Sequence, residues 1–148
     1  MKIVLDTNVL VSGLLTPFGP SGEIVRMVSA GELILYIDAR ILSEYREVLH
    51  RPKFKFNKDL INILLDFIKL HGQFISSLPL KSRLPDPDDE PFLEVAIAGK
   101  VRSLITGNII HCHFSSKGRV KRYFLPRNSL NFLENKIGPQ NKALNSNG

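Results

Sequence analysis

Apolar residues in this chain come in short β-branched runs separated by longer stretches with helical spacing. "KIVLD" (2–6) is such a run, closed by a carboxylate, and it predicts a buried strand. The Pro/Gly loop "TPFGPSG" follows, and Ser21 can cap a helix from about Gly22 to Ala30 that Gly31 ends. "LILYI" (33–37) reads as a second buried strand. Asp38 then caps a helix over Ala39 to Leu49, whose Ile41, Leu42, Tyr45, Val48 and Leu49 share one stripe, and Pro52 limits it. A further helix is predicted from Asp59 to about Leu70, capped by Asn57 and stopped by Gly72. "QFISSL" fits either a third strand or an extended link. A helix from about Asp89 to Ala98 is closed by Gly99, "SLIT" (103–106) is a strand, and Gly107 with Asn108 turns the chain. A strand near Val120 to Leu125 and a last helix, introduced by Pro126 and Asn128 and running to about Lys136, complete the pattern.

Strands alternating with helices predict an α/β fold: three layers around a central, mostly parallel sheet. One domain over residues 1–136 accounts for the periodic part. Residues 137–148, "IGPQNKALNSNG", have little to bury and are expected to form a disordered tail. In such folds ligands gather at the carboxyl ends of the strands. That rule sets Asp6, ending "KIVLD", and Asn108, just past "SLIT", at one edge of the sheet. The segment "LPDPDDEPFLEVA" (84–96) can reach the same edge, because its helix feeds straight into "SLIT".

Composition narrows the class. With 43% hydrophobic and 23% charged residues the chain is ordinary for a soluble globular protein. No apolar run is long enough to span a bilayer. The apolar residues 9–15 follow Asp6 and Asn8, which interrupt the pattern of a secretion signal, so a cytoplasmic protein without a membrane partner is expected. The single Cys112 excludes an intramolecular disulfide and fits a reducing compartment. His111, Cys112 and His113 are adjacent, which is a poor spacing for the four ligands of a closed zinc site.

Charge changes the picture more. The net charge is +6, yet no acid lies between Val95 and Leu133, where Lys100, Arg102, Lys117, Arg119, Lys121, Arg122 and Arg127 all fall. That asymmetry suits a polyanion such as RNA, and equally an ordinary basic surface. Phe114, Tyr123 and Phe124, lying among the basic residues, could stack on bases or belong to the core.

The acids are crowded instead into 84–96, where Asp86, Asp88, Asp89, Glu90 and Glu94 account for five of the chain's fourteen. Such a run is either a solvated turn or part of a cation site. On a helical wheel Asp89 starts the inward stripe with Leu93 and Ala96, flanked by Phe92 and Ile97, and Glu94 points the opposite way, to water. Pro87 keeps Asp86 extended near the site, while Asp88 and Glu90 read as solvated. Asp6 is costly to bury without a cation or donors, and can alternatively accept hydrogen bonds from the Thr7 and Asn8 amides in a tight turn. Glu44 falls on the flank of its helix's apolar stripe, which permits a site role, whereas Glu47 points to solvent.

"KIVLDTNVLVSGLL", "ILSEYREVL", "DPDDEPFLEVAIAGK" and "SLITGN", in that order, resemble the PIN domain of metal-dependent ribonucleases. The likeness extends through "LPRNSLNFL" and is greatest to the group of toxins from bacterial and archaeal toxin–antitoxin pairs. It implies a Rossmann-like sheet and an acidic pocket that holds Mg²⁺ or Mn²⁺. It places the metal-binding and catalytic acids at Asp6, Glu44 and Asp89, with Asp86 as an accessory and Thr7, Asn8 and Thr106 supporting the site. The family's fourth acid falls on Asn108, whose amide oxygen is a weaker ligand and carries no charge. The resemblance further implies an endoribonuclease, a small antitoxin partner and a homodimer, with the basic residues Lys100, Arg102, Lys117, Arg119, Lys121 and Arg122 contacting RNA. The alternative is a catalytically weak PIN-like domain that binds RNA or regulates. Other Mg²⁺-dependent α/β domains fit less well: "DTN" lacks the second carboxylate of a phosphatase's Asp-x-Asp, and no acid pair adjoins Asp6 as in a receiver domain.

Overall fold

The computed structural model of the chain describes residues 1–101 and 103–106, apart from Ser82 and Pro85, together with the backbone of a strand at 121–124. Five strands are described: Lys2–Leu5 (β1), Ile34–Ile37 (β2), Gln73–Phe74 (β3), Ser103–Thr106 (β4) and Lys121–Phe124 (β5). They form one sheet in the order β3-β2-β1-β4-β5, and every pairing is parallel. In the centre, Ile3 lies beside Leu35 on one side and Ser103 on the other, and Leu5 pairs with Ile105. Ile3, Val4 and Leu5 are all buried completely, which requires cover on both faces of the sheet and explains why β1 is a continuous apolar run rather than an alternating one.

That cover comes from helices: Thr7–Leu15 (α1), Pro20–Ser29 (α2), Ala39–Leu49 (α3), Lys58–His71 (α4) and Glu90–Ala98 (α5). α5 packs on β1, β2 and β4, α3 and α4 pack on β2, and α1 packs on β4 as well as on α2 and α3. The result is the three-layer α/β fold with a parallel sheet that the alternating pattern predicts. Local chemistry sets the helix starts. The Asp38 carboxylate accepts from the Ile41 amide at 2.9 Å, and the Asn57 side chain accepts from the Asp59 and Leu60 amides at 2.9 and 3.2 Å. α3 therefore has the bounds read from the sequence, and α4 exceeds them by one residue at each end.

Four elements differ from expectation. α1 is a helix where none was anticipated: its Thr7, Val9, Leu10, Val11 and Gly13 are buried, and Asn8, Ser12 and Leu15 face out. α2 begins at Pro20 after Gly19, not at Gly22 after Ser21, because proline suits a first helical position. "QFISSL" contributes only the two-residue β3. Pro87–Asp89 form a single 3₁₀ turn, so α5 begins at Glu90 with Asp89 as the residue that precedes it. The α1–α2 corner depends on two glycines: a Cβ on Gly13 would lie 2.6 Å from the Ser21 carbonyl oxygen, and one on Gly22 would lie 2.1 Å from that of Pro17. Among the described residues no helix is long and apolar enough to cross a membrane. Gly107, Asn108, the helix expected at 128–136 and the tail at 137–148 lie outside the described residues.

One contact ties α3 to the end of β1. The Tyr45 ring is fully buried and its hydroxyl donates to the Leu5 carbonyl, one residue before Asp6. Tyr45→Phe keeps the packing and removes this donor, so it is expected to cost about 1–2 kcal/mol in urea unfolding.

Candidate active site

Asp6 stands where the chain leaves β1 for α1, at the carboxyl edge of the sheet. Its amide still donates to the Ile105 carbonyl at 2.9 Å, extending the β1–β4 pairing by one residue. The side chain is buried, and its Oδ2 accepts from the hydroxyl of Thr106, the last residue of β4, at 2.8 Å. Burial pushes the Asp6 carboxyl above the usual carboxylate range, the Thr106 hydroxyl and the adjacent Asn8 and Thr7 amides act the other way, and Asp86 adds a small upward push. Thr7 is buried as well, and its hydroxyl donates to Oε2 of Glu44 from α3. Glu44 is half-buried, and its carboxyl is raised by burial first, against the pull of Thr7, and then by the charges of Asp6, Asp88 and Glu47. Asn8 is exposed.

Asp89 completes the group from the turn before α5. Its carboxyl is pushed up to about 6 by partial burial and by the negative charges of Asp6, Asp86, Glu44 and Asp88. Asp86 is exposed and its Oδ1 accepts from the Asp88 amide at 2.9 Å, which shapes the turn. The structure thus brings Asp6, Glu44 and Asp89 into one electrostatic neighbourhood, with Asp86 and Asp88 at its margin. Asp88 is solvent-exposed as expected, yet its charge acts on both Glu44 and Asp89. Among the described residues none of these five acids is paired with a lysine or arginine.

A cleft of about 260 Å³ opens beside the acids, lined by Glu44, Glu47, Asp88, Pro87 and Phe92 with Arg40. Arg40 explains a correction. Glu94 does not point to water: it is only 7% exposed, and its carboxylate pairs with Arg40 Nη1 at 3.0 Å. Phe92, Leu93, Glu94, Val95 and Ala96 are all buried, because α5 touches α3 as well as three strands and has more than one covered face. Ile97, expected to flank the inward stripe, is exposed instead, and Glu90 is half-buried with its Oε1 accepting from the Leu84 amide. Arg40 also holds Asp38 at 2.7 Å. Arg40→Ala leaves a buried carboxylate without its cation and is expected to cost about 1–3 kcal/mol in urea unfolding, part of which Glu94→Gln in the same chain recovers.

The basic residues proved less informative. Lys100 is exposed in the turn between α5 and β4, at the amino edge of the sheet, away from Asp6 and Thr106. Lys121 and Arg122 lie on β5 in register with Ser103 and Leu104. Arg102, Lys117 and Arg119, like His111, Cys112, His113 and Asn108, lie outside the described residues. Arg40 and Glu94 were missed by sequence reasoning, since nothing in the spacing of two charged residues on separate helices announces that they meet.

The site's donors are carboxylate and hydroxyl oxygens, the ligand type of hard divalent cations, and the mutual repulsion of its acids is what such an ion would relieve. Donor chemistry and charge therefore fit Mg²⁺ or Mn²⁺. As placed, no three histidine, cysteine, aspartate or glutamate side chains among the described residues close on one ion position.

Comparison with known proteins agrees with this architecture. Residues 2–110 match the model of the PIN domain. An uncharacterized protein from Methanocaldococcus jannaschii is 29% identical over 111 residues, covering 73% of this chain and 71% of its own length. The match to the family model spans most of the chain and all of Asp6, Glu44, Asp89 and Thr106: the chain belongs to the PIN domain family, which supports a nuclease-like hydrolase role.

Proposed function

We infer that the protein is a divalent-metal-dependent endoribonuclease. The observation that carries this reading is the gathering of Asp6, Glu44 and Asp89 at the carboxyl edge of the sheet, mutually repelling and without a basic partner among the described residues. Asp6, Glu44 and Asp89 would hold Mg²⁺ or Mn²⁺, with Asp86 as an accessory donor. Such an ion, when bound, supplies neutralising charge at the phosphate and a lowered pKa for the attacking water. The chain's own residues do the rest. Thr106 and Thr7 hold Asp6 and Glu44 in fixed orientations, so the negative potential is built before substrate arrives. Asp89, whose carboxyl titrates closest to neutrality, accepts the proton of the water that attacks phosphorus. The bond to the 3′ oxygen breaks, leaving a 5′-phosphate and a 3′-hydroxyl.

The test is purified protein on mixed RNA with Mg²⁺, Mn²⁺ or EDTA, alongside Asp89→Asn. Metal-dependent cleavage that Asp89→Asn suppresses supports the reading; cleavage untouched by both EDTA and the substitution overturns it. A catalytically weak RNA-binding domain is the second reading, favoured by the absence, among the described residues, of three ligands already closed on one point. It predicts RNA binding that survives EDTA with no cleavage in Mn²⁺. A toxin role with a small antitoxin rests on the sequence resemblance, and an adjacent small reading frame whose product silences cleavage would support it.

A further inference from the structure

Helix α4 carries two apolar faces, and the fold uses only one. Ile61, Leu65 and Ile68 are buried, where the helix packs on β2 and α3. On the outer side Leu60, Ile63 and Leu70 are 64%, 64% and 78% exposed, with the partly exposed Phe67 between them. At 100° per residue these four fall in an arc of about 80°, roughly opposite the buried stripe. Their spacing of three, four and three residues is the seam by which one helix packs along another.

We propose that a second copy of this chain docks on that seam, α4 against α4, to form a two-fold symmetric dimer. Three observations favour this occupant. First, area: the four side chains leave roughly 400 Å² of apolar surface open, in the ~300–600 Å² range of the largest patch on a typical monomer. With its flanks the face approaches the ~800 Å² per partner of a stable interface. Second, self-complementarity: no charged residue interrupts the seam, so a two-fold axis can set like apolar residues against each other. Third, charge: Asp59 and Asp66 line one flank, and Leu64 and His71 line the other, with the His71 ring packed on Phe67 at 4.4 Å between centroids. Parallel helices bring Asp66 of each copy opposite His71 of the other. Antiparallel helices would set the two Asp66 carboxylates side by side, so the dimer is parallel.

The experiment is sedimentation velocity on the full chain over roughly a hundredfold concentration range, with Ile63→Glu and Leu70→Glu as variants. The expected result is a dimer that dissociates on dilution, and whose Kd each variant raises by about tenfold or more with the circular dichroism unchanged. Ile63→Cys in a Cys112→Ser background is expected to form an intermolecular disulfide on mild oxidation, as parallel packing places residue 63 against its own copy. Preferential linkage of Leu60→Cys to Leu70→Cys would mean antiparallel packing and overturn the arrangement. A monomer at every concentration overturns the proposal; if Ile63→Glu then also unfolds the chain, residues 125–148 are the occupant. A dimer indifferent to both glutamates overturns it too.

Discussion

Asp6→Asn is expected to lower metal-dependent RNA cleavage by at least about 100-fold while leaving a protein that, in EDTA, melts no lower than the native one. Both halves follow from the same environment. Burial disfavours the Asp6 carboxylate, and only the Thr106 hydroxyl and the neighbouring amides offset it. Asparagine keeps an oxygen for the Thr106 hydroxyl and sheds the charge, so the fold loses little and gains relief from repulsion. The chemistry loses the innermost negative charge of the site, which an amide oxygen does not replace. Single-turnover cleavage in Mn²⁺ and thermal melts in EDTA measure the two effects separately. A native cleavage rate would remove Asp6 from the site. A melting temperature well below native would make its carboxylate a structural turn acceptor.

The metal-stripped protein is expected to lose stability as the pH rises from about 4 to about 7. The Asp89 carboxyl titrates at about 6 in the folded chain against an ordinary value of 3.8, and Asp6 and Glu44 are displaced the same way. A folded-state pKa above the unfolded one means that the folded state binds the proton more tightly. The resulting stabilisation is complete below the ordinary value and disappears as the pH climbs through the folded value. Asp89 is partly open to solvent, so screening reduces its share to roughly 1–2 kcal/mol. Differential scanning calorimetry in EDTA should show the decline, and Asp89→Asn should flatten it. Mn²⁺ at about 100 times its Kd should restore ~2.7 kcal/mol at pH 7 and less at pH 5, where Asp89 carries its proton. A melting temperature that rises from pH 5 to 7 in EDTA contradicts the electrostatic picture of the site.

What could be read from the sequence divides along physical lines. β1, β2 and β4 are legible because central parallel strands need apolar residues on both faces, and each appears as an uninterrupted run. α3 is legible to the residue because Asp38 caps it and its polar positions fall on one side. α1 is not: "NVLVSGLL" mixes β-branched residues with an apolar density that suits a strand, a buried helix or a leader, and only its packing on α2, α3 and β4 decides. Asp6 at the sheet edge and Asp89 at the start of a core-facing helix follow from topology and wheel geometry. Glu94 fails by the same wheel, because the geometry assumes one covered face and α5 has more. The Thr7–Glu44 and Thr106–Asp6 hydrogen bonds span 37 and 100 residues, and no local pattern encodes such meetings.

That separation of 100 residues between Asp6 and Thr106 has a consequence in time. A ribosome adding about 5–20 residues per second needs roughly 5–20 s to pass from one to the other. During that interval β1 lacks its neighbour β4, and Asp6 lacks the hydroxyl that orients it. A nascent chain can display α1, α2, β2, α3 and α4 while its acidic pocket is still unformed. The polypeptide therefore emerges inert, and the capacity to cut RNA arrives late in its own synthesis.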